Sequence, residues 1–506
     1  MKSNNFYKTI VILFTILISA SCGDFLDVND NPNAPVGSNL TLNAQLPAAL
    51  AGTVNQETDQ LNLLGSLWGG YWGTTAEGIN LFFNQKAYSG QGLRDVRDGY
   101  PVWETSYLLL LQYQLIRDQA EKEGELFFLG ITKIMQGWHF LRLVDTYNHI
   151  PYEEALQGTK KATPAYEPGE QVYKKSIDLI TSGMNDITSA GSSMSPGNSD
   201  ILFKGNRTLW LRFANTIKLR ALIRQSEVAT PAYIQQEIGK IMAEGSGFLS
   251  AGQNALVQPG YLQTAGKMNP FYERYYRNVQ NVVTANYQDI RPTEYLLESY
   301  LASNDPRLDR LYTKVNGSYK GVRFGDPVVD RTRYGRDVTS AFRGPAENGG
   351  QPAGLFKSPV QASVLMTSAE SIFLQCEAAW RGWITAPAES LYRDAIGESF
   401  NYLGVPSGHI TEFLTRPGVA YEGTLEQIIR QKWLALNSLS GIEAWNDFRR
   451  LGLPAFPNSL MVNNPELRPQ RLMYPETERM TNLTEVLKQG NDHLLESKVW
   501  WAKQNN

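Results

Sequence analysis

Three aromatic rings, Trp68, Tyr71 and Trp72, stand within the short run Gly65-Ser-Leu-Trp-Gly-Gly-Tyr-Trp-Gly73. Sugar rings present apolar C–H faces on which flat aromatic side chains stack, and peptide side chains offer similar surfaces. The interleaved glycines let backbone come close to whatever the rings hold. A second run, Asn80-Leu-Phe-Phe-Asn-Gln-Lys-Ala-Tyr88, adds Phe83 and Tyr88, while Asn286 and Tyr287 sit in a stretch rich in loops. These are the candidate ligand contacts, and aromatics make up 11% of the chain. Rings of this kind also fill cores, so stacking platform and core remain two readings of the same residues.

Signatures of covalent or metal chemistry are missing. The four histidines, His139, His149, His409 and His493, show no His-Glu-x-x-His spacing, and no metal site is implied. There is no Gly-x-Ser-x-Gly elbow, Walker A loop or Gly-x-Gly-x-x-Gly fingerprint, and no cofactor is implied. Asp27, Asn29 and Asn31 imitate the opening of a calcium loop, but Pro32 and Ser38 occupy the positions that need glycine and a bidentate glutamate. That stretch reads as a flexible acidic spacer. Paired carboxylates for glycoside hydrolysis are the enzyme alternative, since any fold can bring two of the 50 acidic residues together. Glu153 and Glu154 read as a solvated helix start.

Cys22 is the other residue with chemistry of its own. It follows Lys2 and Lys8, an apolar run from Ile10 to Ile18, and Ser19-Ala20-Ser21. That is the layout of a secretory leader, too short to cross a hydrocarbon core. A cysteine at such a boundary is where bacterial lipoproteins are acylated, although Ser19 stands where leucine is usual. We therefore expect residues 1–21 to be a lipoprotein signal peptide and 22–40 an acylated cysteine with its tether. Several acyl chains anchor stably where one would not.

The body is 506 residues long with 42% hydrophobic and 19% charged side chains, an ordinary globular balance. Removing two lysines with the leader takes the net charge from −3 to −5, and no basic stripe suggests nucleic acid. Cys376 lies in a strongly helical run with Ile372 and Trp380 one turn away, which predicts a buried, inert thiol.

Helical patterning dominates from residue 41 onward. Val172, Ile177, Ile180, Met184 and Ile187 make one apolar helix face. Thr367, Thr424 and Ser440 each begin a capping box, and Thr230-Pro231 opens another helix. Between about 244 and 359 glycine, proline and asparagine multiply and aromatics cluster, which predicts long functional loops inserted in one helical domain spanning 41–506. Helix pairs are expected, without a regular tetratricopeptide period.

Several segments, in order, resemble the SusD/RagB family of nutrient-binding outer-membrane lipoproteins. They are Cys22-Gly-Asp-Phe-Leu-Asp-Val-Asn29, residues 137–152, 207–220, Asn304-Asp-Pro-Arg-Leu308, 366–370, 377–382, Gln431-Lys-Trp433, 443–454 and Arg471-Leu-Met-Tyr-Pro475. The resemblance implies an all-α fold with tetratricopeptide-like helix pairs and a loop-rich ligand face. It also implies a non-catalytic lipoprotein at the cell exterior, and a TonB-dependent, SusC-like transporter as partner. The lipoprotein would lie over that barrel as a lid and deliver oligosaccharides or peptides. The aromatic run at 65–73 has no fixed counterpart in the family. The motif residues themselves read as scaffold: Arg449 and Arg450 serving helix ends or ion pairs, and Asp305-Pro306-Arg307 a charged turn holding loop to helix.

Overall fold

The helical periodicity is realised in two blocks. The computed structural model describes residues 40–97, 99–191 and 195–503, so the leader, Cys22 and the acidic spacer lie outside the described residues. The first block holds α1 (Leu42–Gln56), α2 (Asn62–Trp68), α3 (Val102–Glu123), α4 (Leu126–Tyr147), α5 (Gly169–Ser189), α6 (Arg207–Arg224) and α7 (Pro231–Glu244). The second holds α8 (Ser368–Trp380), α9 (Ala388–Leu403), α10 (Leu425–Leu436) and α11 (Gly441–Leu451). No described helix is long and apolar enough to cross a membrane.

Successive helices pair because each buries one apolar face against the next. The α3–α4 reversal turns on Gly124, which adopts a left-handed φ of 75° at the end of α3. Along α4 and α5, a Cβ on Gly130 would lie 2.5 Å from the Gly183 carbonyl and one on Gly137 2.5 Å from Ile180. Partner numbers fall as residue numbers rise, so the helices run antiparallel with their backbones in close approach. The five apolar residues Val172, Ile177, Ile180, Met184 and Ile187 are all buried on α5.

Thr230, Thr367 and Thr424 cap α7, α8 and α10 by accepting the amides of Tyr233, Glu370 and Gln427. Ser440 does not cap α11 with its side chain, contrary to the spacing. Glu443, the supposed reciprocal partner, is turned inward instead, where arginines outbid a backbone amide.

From Glu244 to Pro359 the helices shrink to eight residues or fewer. Three two-stranded antiparallel sheets tie loops together: β1 (Trp72–Thr74) with β5 (Ile290–Pro292), β2 (Ile150–Pro151) with β3 (Tyr166–Glu167), and β4 (Ala255–Val257) with β6 (Ser363–Met366). Aromatics of this stretch pack on one another, with Phe356 stacked on Phe271 at 5.2 Å and on Tyr276 at 5.1 Å. The Asp-Pro-Arg turn fastens the loops to the helices. Arg307 is fully buried, pairs with Asp305 at 2.6 Å, and donates to Ser399 of α9 and Gln431 of α10. Cys376 is buried, and burial pushes its thiol up to about 12, which leaves it inert at neutral pH.

The centre of the molecule is ionic. Glu443 of α11, fully buried, meets Arg142 of α4 and Arg224 (2.5 Å) and Arg220 (3.7 Å) of α6. Arg142 continues to Glu57, Arg220 to Glu370 of α8, and Arg224 to Asp145. One helical turn along α11, Asp447 pairs with Lys432 of α10 at 2.8 Å and with Arg450 at 2.9 Å. Arg450 also grips Glu377 of α8. Burial alone would raise the Glu443 carboxyl, but Arg224, Arg220 and Arg142 outweigh it and hold it well below the usual range.

Removing one partner of such a network strands the others in a low dielectric. Glu443→Gln should therefore cost about 3–5 kcal/mol, read as a lower urea midpoint at neutral pH. Acid should act in the same direction. Glu443, Glu377 and Asp447 are all held below their ordinary values after burial is offset by their cations. Their stabilisation is complete above the unfolded carboxylate range and is lost progressively as pH falls from that range through their lower native values. Glu370, raised by burial against Arg220, works the other way, and three depressed groups against one raised set the sign. Denaturation midpoints should fall steeply between about pH 5 and 3, and less steeply in Glu443→Gln.

Candidate functional site

The glycine-rich aromatic run builds a wall rather than a platform. Trp68, Tyr71 and Trp72 are 3%, 0% and 0% exposed, and Tyr88 is 8% exposed. Their polar atoms are consumed internally: Trp68 donates to the Gln85 carbonyl, Trp72 to Ser438 Oγ at 2.7 Å, and Tyr88 to Asn458 at 2.6 Å. The expectation that these four rings face a ligand is therefore corrected: they are core. The glycines explain it. A Cβ on Gly65 would sit 2.1 Å from the backbone of Gly441, and one on Gly69 2.8 Å from Ala444. They let α2 lie against α11, which presses the neighbouring rings inward.

Gly70, itself buried, lines a cleft. Its φ of +84° and the place of a Cβ, 2.6 Å from Phe456, both demand glycine. It floors a cleft of about 140 Å³ walled by Thr293, Glu294, Tyr295, Val322, Arg323, Phe324, and the loop from Phe456 to Leu460. Thr293 ties the wall to the floor, its hydroxyl donating to the Gly70 carbonyl at 2.7 Å. Backbone bonds Val322 N–Pro292 O and Glu294 N–Val322 O, 3.0 and 2.9 Å, hold the facing segments in register.

Tyr295 is the half-buried ring of this cleft, and it is braced. It meets Trp433 edge-on at 5.7 Å, and Trp433 stacks on Tyr71 at 5.0 Å. Trp433 Nε1 donates to the Gly69 carbonyl at 2.7 Å, and Tyr71 donates to the Trp433 carbonyl at 2.6 Å. The sequence run thus supports the site from behind.

A polar depression of about 430 Å³ adjoins the cleft and shares Glu294 with it. Glu298, Lys320, Thr332, Arg333 and Tyr334 line it. Tyr334 donates to Glu294 at 3.2 Å, Arg333 lies 3.6 Å from the same carboxylate, and Arg323 and Arg333 flank the Tyr334 ring. Burial raises the Tyr334 hydroxyl, so it stays a donor. Carboxylate, guanidinium, hydroxyl and ring side by side match the alternating hydroxyl and C–H surfaces of a sugar.

Phe83 is 51% exposed, on the short helix Phe83–Lys86. The Lys86 carbonyl accepts from Ser459, in the loop that walls the cleft. Asn286 and Tyr287 are half-buried on the helix Ala285–Asp289, with Tyr287 packed on Tyr276 at 5.3 Å and bonded to the Phe342 carbonyl. They flank β5 and do not line the cleft. Tyr295, Phe324 and Phe456, which do, carry no motif. Only the loop Gly321-Val-Arg-Phe-Gly-Asp-Pro327 marked their neighbourhood in sequence.

The family model described as "Starch-binding associating with outer membrane" matches residues 39–475. The chain belongs to the SusD-like family. Solved SusD homologues share its fold. One from Bacteroides fragilis is 21% identical with a TM-score of 0.74, covering 92% of this chain and 100% of its own. One from Parabacteroides distasonis is 19% identical with a TM-score of 0.75, covering 92% and 98%. A chitin-binding SusD homologue from Flavobacterium johnsoniae is 23% identical with a TM-score of 0.71, covering 91% and 99%. No curated protein matches the chain. The all-α scaffold with its loop-rich face is thus the SusD-like fold.

Burial separates the SusD-like core from its surface in a measurable way. Trp72→Ala should destabilise by about 3–5 kcal/mol, as expected for a fully buried indole. Phe83→Ala should stay within about 0.5 kcal/mol of the parent in the same urea titration.

Proposed function

We propose that this SusD-like chain is a non-catalytic capture protein that binds oligosaccharides at the cleft around Tyr295 and passes them to a transporter. The observation that carries this reading is the braced ring of Tyr295 beside Glu294, Arg323, Arg333 and Tyr334. A rigid ring with hydrogen-bonding groups at its edge binds a sugar without first paying to order itself. The family description names starch, and one fold relative binds chitin, which favours glycan over peptide. Glu294 and Glu298 share the depression, but Glu298 is exposed and Glu294 faces Arg333. On this reading both carboxylates serve as acceptors for sugar hydroxyls.

Anchoring completes the reading. Acylated Cys22 holds the body at the outer membrane, facing the cell exterior. Residues 22–40 tether it as a lid over a SusC-like, TonB-dependent barrel. Affinity is then modest, on the order of micromolar to millimolar, because release into the barrel matters as much as capture.

Titration of the mature chain with maltooligosaccharides and chitooligosaccharides should give binding in that range for at least one series. Tyr295→Ala should weaken it by about tenfold or more at unchanged thermal midpoint, since stacking and area loss are worth about 1–3 kcal/mol. Binding indifferent to Tyr295 would place the ligand elsewhere. Cys22→Ala should shift the protein from the membrane to the soluble fraction with its affinity intact, and tagged wild type should retain a large β-barrel after solubilisation.

A further inference from the structure

Another cavity, of about 620 Å³, shares only Phe456 with the Tyr295 cleft. Four cations line it, Arg449, Arg468, Lys498 and Lys503, against two carboxylates, Glu466 and Glu496. Its charge is therefore positive on a chain whose net charge is −3.

Arg449 is the unusual member. Its neighbour Arg450 grips Glu377 and Asp447, as buried guanidinium groups normally do. Arg449 is equally buried, 4% exposed, yet no carboxylate lies within ion-pair distance of it among the described residues. Its terminal nitrogens donate to neutral acceptors, the Gln470 and Asp145 carbonyls at 2.7 Å each and the Asn446 side chain. Its Nε is buried without any partner. Trp445 and Trp501 hold the guanidinium plane, at 3.6 and 4.8 Å. Burial lowers it to about 9, because the attraction of the Asp145 carboxylate does not offset the loss of water.

Arg468 repeats the pattern. Its guanidinium lies against Phe448 and Phe456, at 4.7 and 5.1 Å, and donates to the Phe456 carbonyl at 2.6 Å. It too has no carboxylate partner among the described residues, and burial lowers it. Two guanidinium groups fixed by stacking beside one open cavity, neither in ion-pair contact with a carboxylate, are a preformed receptor for an anionic group.

We infer that this cavity is a second binding site, which takes the carboxylate or sulfate of an acidic saccharide unit. The apolar walls from Phe448, Leu467 and Leu495 suit a sugar ring rather than a bare ion, and the volume exceeds what an inorganic anion fills. The anion completes the missing ion pairs of Arg449 and Arg468, while Lys503 at the exposed lip attracts it. The site rests on the glycan-capture reading only for the choice of ligand, and it is separate from the Tyr295 cleft.

Calorimetric titration of the mature chain with a galacturonic acid trisaccharide, its neutral methyl ester and inorganic sulfate tests this. The acid should bind about tenfold or more tightly than the ester, and its affinity should fall as salt is raised from 50 to 500 mM. Arg468→Gln and Lys503→Glu should each reduce acid binding by about tenfold or more, with Lys503 chosen because its exposed side chain can be reversed without touching the core. Tyr295→Ala should leave acid binding unchanged, and loss there would move the acid into the cleft and overturn the second site. Equal binding of acid and ester would overturn it as well. Sulfate binding as tightly as the trisaccharide would overturn the saccharide assignment and leave a site for free anions.

Discussion

A carboxylate taken wholly out of water must be met by cations whose positions are fixed to within a few tenths of an ångström, or it unfolds the region that buries it. Glu443 imposes that condition on this fold. Its partners Arg142, Arg220 and Arg224 come from α4 and α6, and their second carboxylates come from α8 and the segment after α1. Apolar faces would let these helices slide, because hydrophobic burial has no direction. Charge pairs do not allow sliding. The network thus joins α8 and α11 of the second block to α4 and α6 of the first.

The same packing carries through to the cleft around Tyr295. α11 is held by Glu443, so Gly441 sits where only Gly65 can face it, and α2 is drawn in behind. From there the chain has one path, through Gly69 and Gly70, to Tyr71 and Trp72. On α10 three successive residues point in three directions, as helical rotation requires. Gln431 holds Arg307 and the loop turn, Lys432 holds Asp447, and Trp433 stacks on Tyr71 and braces Tyr295. A loop-rich face on so constrained a base can hold a ring still without secondary structure of its own.

The two cavities divide the chemistry. Around Tyr295, Glu294 pairs with Arg333 and Arg323 with Asp326, so these groups offer hydrogen bonds with little net field. Around Arg449 and Arg468 the guanidinium groups are stacked on rings with no carboxylate in ion-pair contact among the described residues, so the surface offers charge. Phe456 stands between them and its carbonyl fixes Arg468, which couples the shape of one wall to the electrostatics of the other.

Much of this was legible in the amino-acid order, for local reasons. Apolar spacing gave the helices, hydroxyls at Thr230, Thr367 and Thr424 gave their starts, and an ordered set of short motifs gave the family. Those signals act within a few residues, so they survive reading in one dimension. Ser440 misled because a capping box and an inward ion pair ask for the same glutamate, and only the location of three arginines decides which wins. Trp68, Tyr71 and Trp72 misled because a glycine-flanked ring looks alike whether the glycine admits a ligand or another helix. Tyr295, Phe324 and Phe456 were invisible, and Arg449 was read like Arg450 as an ion-pair former, since what distinguishes them is which side chains from distant segments stand beside them. Sequence by itself determined the helices, most of their caps and the family; burial and charge pairing, which exist only between remote segments, decided which residues are core and which line the clefts.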